Sequence, residues 1–178
     1  KGLDILLSAV RKAAAEFRKS KSRILIVGSF DTKRDESILI KTIKRWSLGD
    51  IVRIEGPKYD GEKRNLILGC DAFVHTSRYE GMPMAVLEAM ALGKPCLVTP
   101  GTNLGQAIGE FSAGWETDIN PERIADCFIK IIETPANVLR SMGQRAQSLI
   151  KERFALSITV DMLRALYRDV IGQNAKYE

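Results

Sequence analysis

Two carboxylates, Glu80 and Glu88, have seven residues between them, Gly81-Met82-Pro83-Met84-Ala85-Val86-Leu87. Apolar spacing predicts a helix from Met84 to Leu92, with Glu88 inside it and Glu80 in the loop before it. Pro83 fits the first turn of such a helix, where its missing N–H costs nothing. The N–H groups of Met84, Ala85 and Val86 would then point out of the helix start. Donors and dipole together favour an anion there, phosphate included. Gly81 removes side-chain bulk where a ligand would approach. Glu80 is placed to accept hydrogen bonds from ligand hydroxyls; the plainer alternative is an acid favoured by the helix dipole. Glu88 sits among Ala85, Val86, Leu87, Ala89, Met90, Ala91 and Leu92. A carboxylate so placed needs a partner. A ribose diol would suit its two oxygens. A Lys or Arg ion pair, or plain solvent, would serve as well, and helix geometry alone favours these.

The rest of the inventory narrows the chemistry. The chain has one His, His75, so a His-rich metal site is excluded and a Ser-His-Asp triad would have to use that residue. A hydrogen-bonded structural role at a strand end is the expectation for it. Cys70, Cys96 and Cys127 are odd in number and widely spaced, which predicts reduced, packed thiols in a cytoplasmic protein. The strand ending at Val27 leads into Gly28-Ser29-Phe30, where Gly28 permits close backbone approach but no G-x-G-x-x-G follows. A nicotinamide or flavin dehydrogenase and a P-loop ATPase are disfavoured. No Asp-x-Asp pair or ligand cluster predicts a metal. Lys plus Arg number 27 against 22 acidic residues, a formal charge of +5. That balance suits a phosphate-bearing partner or simply a solvated surface. The basic residues are scattered without interleaved aromatics, which argues against nucleic acid. No apolar run reaches a membrane span, and no signal peptide is visible. Lys1-Gly2-Leu3-Asp4 runs straight into a helical pattern, so the expectation is a chain whose beginning lies upstream.

The elements that must position these residues read clearly. With 178 residues and 45% apolar content, one domain with a real core is expected. Leu3, Leu6, Leu7, Val10, Ala14 and Phe17 recur at helical spacing up to Ser20-Lys21-Ser22. Ile24–Val27 is an unbroken apolar run, which predicts a strand buried on both faces in a parallel sheet. Helices around Glu36–Trp46, Glu62–Leu68, Met84–Leu92 and Leu104–Ile108 then alternate with strands at Ile51–Ile54, Ala72–Val74, Cys96–Val98 and Gly114–Glu116. This is the arithmetic of right-handed βαβ crossovers. Asn120-Pro121-Glu122 starts a helix with Ile124, Phe128, Ile131 and Ile132 on one face. Another follows Pro135 to about Arg153. Ser157 opens the last, whose stripe is Met162, Leu163, Leu166, Tyr167 and Val170. The fold class is α/β: a Rossmann-like, doubly wound parallel sheet with a helical C-terminal tail. Ligands of such sheets bind at the C-terminal strand ends, which selects the loops after Val27, Ile54, Val74 and Val98.

Glu80 and Glu88 with "GMPMAVL" between them resemble the E-x7-E motif of retaining GT-B glycosyltransferases. The likeness extends through "ILGCDAFVHTSRYEGMPMAVLEAMALGKPCLVTPGTN", which resembles the donor-site core of glycosyl transferases group 1, also called family 4. "KGLDILLSAV" is similar to the lysine-glycine segment opening that domain, and "GWETDINPERIADCFIKII" and "RFALSITVDMLRALYRDVI" are similar to its closing helices. Residues 1–178 would then be the nucleotide-sugar-binding half of a GT-B enzyme. The N-terminal acceptor domain, which lends a catalytic His or Asp in many members, lies outside the chain, and so does a phosphate-binding arginine expected before Lys1.

The resemblance implies a role for each matching position. Glu80 would meet the transferred sugar as the catalytic carboxylate. Main-chain groups of Gly81, Met82, Pro83, Met84 and Ala85 would hold sugar and diphosphate, and Glu88 the ribose. Lys1 would neutralise the diphosphate. The main chain around Gly56, Pro57 and Lys58 would line the base pocket, Gly28 would let the donor approach the backbone, and Thr102 and Asn103 would lie near the phosphates. Arg78 and Tyr79 would brace the Glu80 loop or touch ligand. No metal or other cofactor is implied. The implied substrate is a nucleotide diphosphate sugar, and the implied acceptor a glycan or lipid-linked glycan of polysaccharide biosynthesis. The implied location is cytoplasmic, with peripheral contact at the inner membrane face. Two other readings stay open: another GT-B enzyme, such as a sugar-nucleotide epimerase or a phosphorylase, and a non-catalytic nucleotide-sugar-binding module.

Overall fold

The computed structural model describes residues 1–174. The apolar stripe at the N-terminus forms α1 (Leu3–Lys12) and α2 (Ala14–Ser20). The single helix predicted there is interrupted at Ala13, whose φ of −91° and ψ of 12° leave the helical region. Its N–H still reaches Ala9 O at 3.0 Å, so the axis continues. No Gly or Pro accounts for the break. β1 (Ile24–Val27), α3 (Lys33–Arg45), β2 (Val52–Gly56), α4 (Asp60–Gly69), β3 (Phe73–His75), α5 (Met84–Ala91) and β4 (Cys96–Val98) follow in strict alternation. A 3-10 turn (Pro100–Thr102), α6 (Gly105–Glu110), β5 (Gly114–Glu116), α7 (Pro121–Glu133), α8 (Ala136–Arg153) and α9 (Leu156–Asn174) complete the order.

The helix starts are chemically marked. Thr32 Oγ1 accepts the Asp35 N–H at 3.1 Å and so caps α3. Asn120 Oδ1 accepts from Glu122 and Arg123 N–H at 2.9 and 3.0 Å, with Pro121 in the first turn of α7, as the sequence predicts.

All strand pairs are parallel, in two sheets: β1 with β2, and β3-β4-β5 with β4 central. Helices cover two faces. One core cluster unites α1, α2, α3 and α7 through Leu7, Val10, Phe17, Ile43, Ile124 and Phe128, with Ile26, Val52 and Leu97 contributed by both sheets. Phe17 meets Phe128 edge-on at 5.5 Å between ring centroids. The other cluster packs α5, α6 and α8 on Cys96 and Val98 through Val86, Met90, Ile108 and Leu149. The architecture is the expected doubly wound α/β fold with a helical tail.

One expectation is corrected. β1 is not buried on both faces: only Ile26 is, while Leu25 and Val27 are 44% and 41% exposed. No described helix covers that side of β1. The stripe of the last helix exists, but Met162, Leu163, Leu166, Tyr167 and Val170 are all exposed.

Candidate functional site

The C-terminal ends of β3 and β4 carry two loops locked against each other. Thr99 Oγ1, fully buried, donates to Ser77 O at 2.6 Å, and Glu80 N–H donates to Gly101 O at 2.8 Å. Gly101 is required there, since a Cβ would fall 2.3 Å from Arg78 O. The N-terminus of the chain is clamped onto the same place. Thr76 Oγ1 donates to Gly2 O at 3.2 Å, and a Cβ on Gly2 would meet Thr76 O at 2.0 Å. Arg78 grips Asp4 through two hydrogen bonds of 3.0 and 2.6 Å. The hydrogen bonds from Arg78 hold the Asp4 carboxyl below its ordinary range.

These clamps converge on Glu80. Its Oε1 accepts from Lys1 Nζ at 2.6 Å and lies 2.8 Å from His75 Nε2. A carboxylate only accepts, so Nε2 is the protonated nitrogen. The Glu80 side chain is 10% exposed, and burial alone would push its carboxyl up. Hydrogen bonds from Lys1, His75 and Ser77, with the Lys1 charge, outweigh that and hold it at about 2. Glu80 is therefore a fixed anion at neutral pH, aimed by two cationic or polar neighbours and by its own loop. It can orient hydroxyls and favour positive charge beside it.

The start of α5 is more closed than the sequence predicts. Pro83 is the N-cap, not a first-turn residue, with φ −79° and ψ 73°. Its carbonyl accepts the Val86 N–H at 2.9 Å, and Met82 O accepts the Met84 N–H at 2.9 Å. Of the three donors predicted to be free, only the Ala85 N–H is without a partner among the described residues. Gly81, Met82 and Met84 are exposed and Pro83 is buried. Glu88 pairs with Lys63 of α4 and is 41% exposed, so it has the ion-pair partner and the solvent contact that helix geometry favours.

The remaining candidates fall into two groups. Asn103, with a φ of 57°, places Nδ2 3.5 Å from Glu80 O and so joins the Glu80 loop. Thr102 is buried and spends its hydroxyl on Thr99 O at 2.9 Å, which leaves its side chain a structural task. Gly28 and Gly56 meet across the β1–β2 ends, N–H to O at 2.9 Å, and both take positive φ, 141° and 67°. Neither has any atom within 4 Å of where a Cβ would lie, so this floor is open, and exposed Pro57 and half-buried Lys58 follow it. Among the described residues no hydrogen bond or ion pair joins this group to Glu80. The Tyr79 side chain is exposed while its carbonyl accepts the Ser77 hydroxyl at 3.0 Å, and Arg78 braces the loop through Asp4.

His75 is the residue that sequence reasoning undervalued. It has the structural hydrogen bond expected of it, but the partner is Glu80 itself. The available signal was its position at a strand end five residues before the acid. Two surface hollows of about 310 and 400 Å³ lie elsewhere, by Arg18 and Asp50 and by Ile40 and Arg53. Among the described residues no group of His, Cys, Asp and Glu could hold a metal ion, and no helix is long and apolar enough to cross a membrane. Cys96 and Cys127 are buried, and burial pushes the Cys96 thiol well up.

Comparison with known proteins places this geometry. The family model for glycosyl transferases group 1 matches residues 1–149. A putative colanic acid biosynthesis glycosyltransferase of Salmonella typhimurium, WcaL, is 25% identical over 161 residues, 86% of this chain and 38% of that protein. An Escherichia coli UDP-Gal:alpha-D-GlcNAc-diphosphoundecaprenol alpha-1,3-galactosyltransferase is 30% identical over 109 residues, 60% of this chain and 27% of that protein. The chain thus spans well under half the length of the curated relatives it matches. Anabaena HepE, solved with UDP, shares the fold at a TM-score of 0.78 and 22% identity, covering 94% of this chain and 45% of that one. The C-terminal domain of a Francisella tularensis group 1 glycosyl transferase, LpcC, gives 0.75 and 19%, covering 88% and 80%.

Proposed function

Because the chain belongs to the glycosyl transferases group 1, we propose that it is the donor-binding domain of a retaining glycosyltransferase. The donor is a nucleotide diphosphate sugar, and the acceptor is a glycan or lipid-linked glycan held by a further domain. The observation that carries this reading is Glu80, held ionised by Lys1 and His75 on the loop that feeds the start of α5. In this reading Glu80 orients the transferred sugar and favours the positive charge that builds at its anomeric carbon. Lys1 turns from Glu80 to the diphosphate when the donor arrives. The Ala85 N–H and the α5 dipole assist it. Glu88 exchanges its ion pair with Lys63 for the ribose hydroxyls. The open floor at Gly28, Gly56, Pro57 and Lys58 takes the base. The leaving diphosphate deprotonates the incoming hydroxyl on the same face, so the configuration is kept without a covalent sugar–enzyme intermediate, and no metal is needed. The enzyme works in the cytoplasm at the inner membrane face. Transfer requires both domains to close around the substrates, so this chain alone turns over no acceptor at a useful rate.

A thermal-shift panel of UDP-, GDP- and ADP-sugars tests the reading, because a ligand of the folded state raises its stability. One nucleotide series should raise the melting temperature, and Glu88→Ala should weaken nucleotide binding more than binding of free sugar. No shift with any of the three, or equal nucleotide affinity in the variant, removes the donor site or the ribose contact respectively.

A further inference from the structure

Two donors converge on one atom of Glu80. Lys1 Nζ donates to Oε1 at 2.6 Å, and His75 Nε2 donates to the same oxygen at 2.8 Å. A carboxylate oxygen has two lone pairs, so these bonds fill Oε1, and neither donor takes Oε2. The remaining cation of the loop is committed elsewhere, because Arg78 makes two bonds to Asp4. The Glu80 main chain is fixed independently. Its N–H donates to Gly101 O at 2.8 Å, and Asn103 Nδ2 lies 3.5 Å from its carbonyl oxygen.

The two donors are anchored differently. His75 is the last residue of β3, in register with fully buried Val98 of β4. Its ring stacks on Phe73, two residues back on the same face of the strand, with 6.4 Å between centroids and 16° between planes. Phe73 in turn packs against the cluster of Val86, Met90 and Leu149. The His75 side chain is 16% exposed, and strand, stacked ring and hydrogen bond together make it a rigid donor. Lys1 is the opposite. Its side chain is 66% exposed, and a flexible four-carbon stem separates the ammonium from a main chain held at Gly2 by Thr76. The chemistry differs as well. An ammonium is a point charge, so an arriving anion competes with Glu80 for it. An imidazole N–H donates whether the ring is neutral or charged. The donor that an anion can draw away is the exposed one, and the donor that stays is the enclosed one. Burial is the largest influence on the Glu80 carboxyl and opposes its charge, so an ionised Glu80 still needs a donor once Lys1 has gone.

We propose that His75 is the positioning residue of Glu80: it keeps Oε1 when Lys1 turns to an anion, and so leaves Oε2 as the oxygen that meets ligand hydroxyls. That those hydroxyls belong to a sugar on a diphosphate rests on the donor reading above; the hold of His75 on Glu80 does not. One carboxylate then has two duties, with Oε1 reserved for the protein and Oε2 for the ligand. His75 itself touches no ligand. Its loss is felt in what Glu80 recognises and not in what Lys1 binds.

NMR of the 178-residue chain tests the hold, with isotope-labelled glutamate carboxyls and histidine ring nitrogens. His75 is the only histidine, so its ring signals are unambiguous. Nε2 should carry a proton, and a bare Nε2 overturns the proposal. Lys1→Gln imitates departure of the ammonium. In that variant the Glu80 carboxyl should still titrate below its ordinary 4.5, and three-bond couplings should report one side-chain rotamer. Lys1→Gln with His75→Ala should titrate above 4.5, with couplings averaged over rotamers. Lys1→Gln with His75→Gln, whose amide can donate in place of the ring, should move back towards the single variant; a residue that only filled space would not be rescued in this way. A Glu80 that titrates and rotates alike with and without His75→Ala overturns the proposal. Should the alanine variant not fold, Lys1→Gln alone decides: a Glu80 that already titrates above 4.5 and averages its rotamers makes Lys1 the holder and overturns the proposal, and one that does neither upholds it. Binding of UDP-, GDP- and ADP-glucose against the free nucleotides then tests the use of Oε2. His75→Ala should weaken the sugar-bearing form of the nucleotide that binds by roughly tenfold and leave the free nucleotide unchanged. Equal loss for both overturns the assignment of Oε2. A hold that stands while no nucleotide binds upholds His75 as the positioning residue and overturns the donor reading instead.

Discussion

The half of the molecule built on β3, β4 and β5 and the half built on β1 and β2 share a helical floor but are packed differently. In the first, every residue of β4 is buried, and a Cβ added at Gly101, Gly105, Gly114 or Gly143 would fall within 2.3 Å of a neighbouring atom. In the second, Leu25 and Val27 face solvent, and Gly28, Gly49, Gly56 and Gly61 have nothing within 4 Å. The carboxylate proposed to act on the sugar is held by the tight half, where loop, N-terminus and His75 leave it one position. The glycines proposed to receive the base lie on the open half. Rigidity is placed where geometry would matter most.

Glycine substitution breaks the comparison most severely. Gly114→Ala would put a methyl 2.0 Å from Cys96 O and 2.7 Å from Cys96 N, inside the β4–β5 ladder. The backbone there has no flexible end that can yield. The expected cost is about 3 kcal/mol or more, read as a lowered urea midpoint or as failure to fold. The same change at Gly49 should shift the midpoint very little.

Leucine truncation sharpens it. Leu97 is fully buried in the core cluster formed with α1 and α7, so Leu97→Ala should cost about 3 kcal/mol. Leu25→Ala, at a position 44% exposed on β1, should cost under about 1 kcal/mol in this chain. The ratio of the two is the test.

The sequence was a good guide wherever one local signal decided the outcome. Asn120-Pro121-Glu122 starts α7, and Cys96–Val98 and Gly114–Glu116 are strands at the predicted bounds. It misled where a neighbour decided. Ile24–Val27 has the apolar run of a strand buried on both faces, and its exposure follows from what lies beside it, which no run of four residues encodes. At α5 the pattern placed the helix, but the bond from Met84 N–H to Met82 O depends on loop geometry. Glu80 was legible as an acid before a helix start. Its clamp was not, because Lys1, His75, Asp4 and Arg78 meet only through the fold. At Glu88 helix geometry was the better guide: the ion pair and solvent contact it favours are what Lys63 and the surface supply.

A smaller effect should appear at Glu80. Its carboxyl is held at about 2 in the folded chain against 4.5 for the free group, so the folded state prefers the ionised form. That preference stabilises fully above pH 4.5 and is lost as pH falls from there through about 2. Glu80→Gln should remove about 1–2 kcal/mol at pH 7, discounted because Lys1 is 66% exposed. The gap between the two proteins should close across that acidic window. A constant gap from pH 7 to 2 would mean that packing, and not ionisation, sets the cost.

The smallest effects test whether the open half is open in the sense claimed. Gly56 and Gly61 both have free space where a Cβ would go, so steric crowding predicts nothing for either. Their backbones differ. Gly56 holds a φ of 67°, where an L-residue loses roughly 1–2 kcal/mol to contact with its own carbonyl. Gly61 lies in the first turn of α4 without a positive φ, where alanine narrows the unfolded ensemble and favours the helix. Gly56→Ala should therefore destabilise by about 1 kcal/mol, and Gly61→Ala should stabilise by about 0.5 kcal/mol. Opposite signs from two equally uncrowded sites would show that this half is limited by backbone conformation, while Gly114, with no positive φ and no room, shows the other half limited by packing. Equal and large losses at all three would mean that β1 and β2 are packed as tightly as β4, and the contrast between the halves would fall.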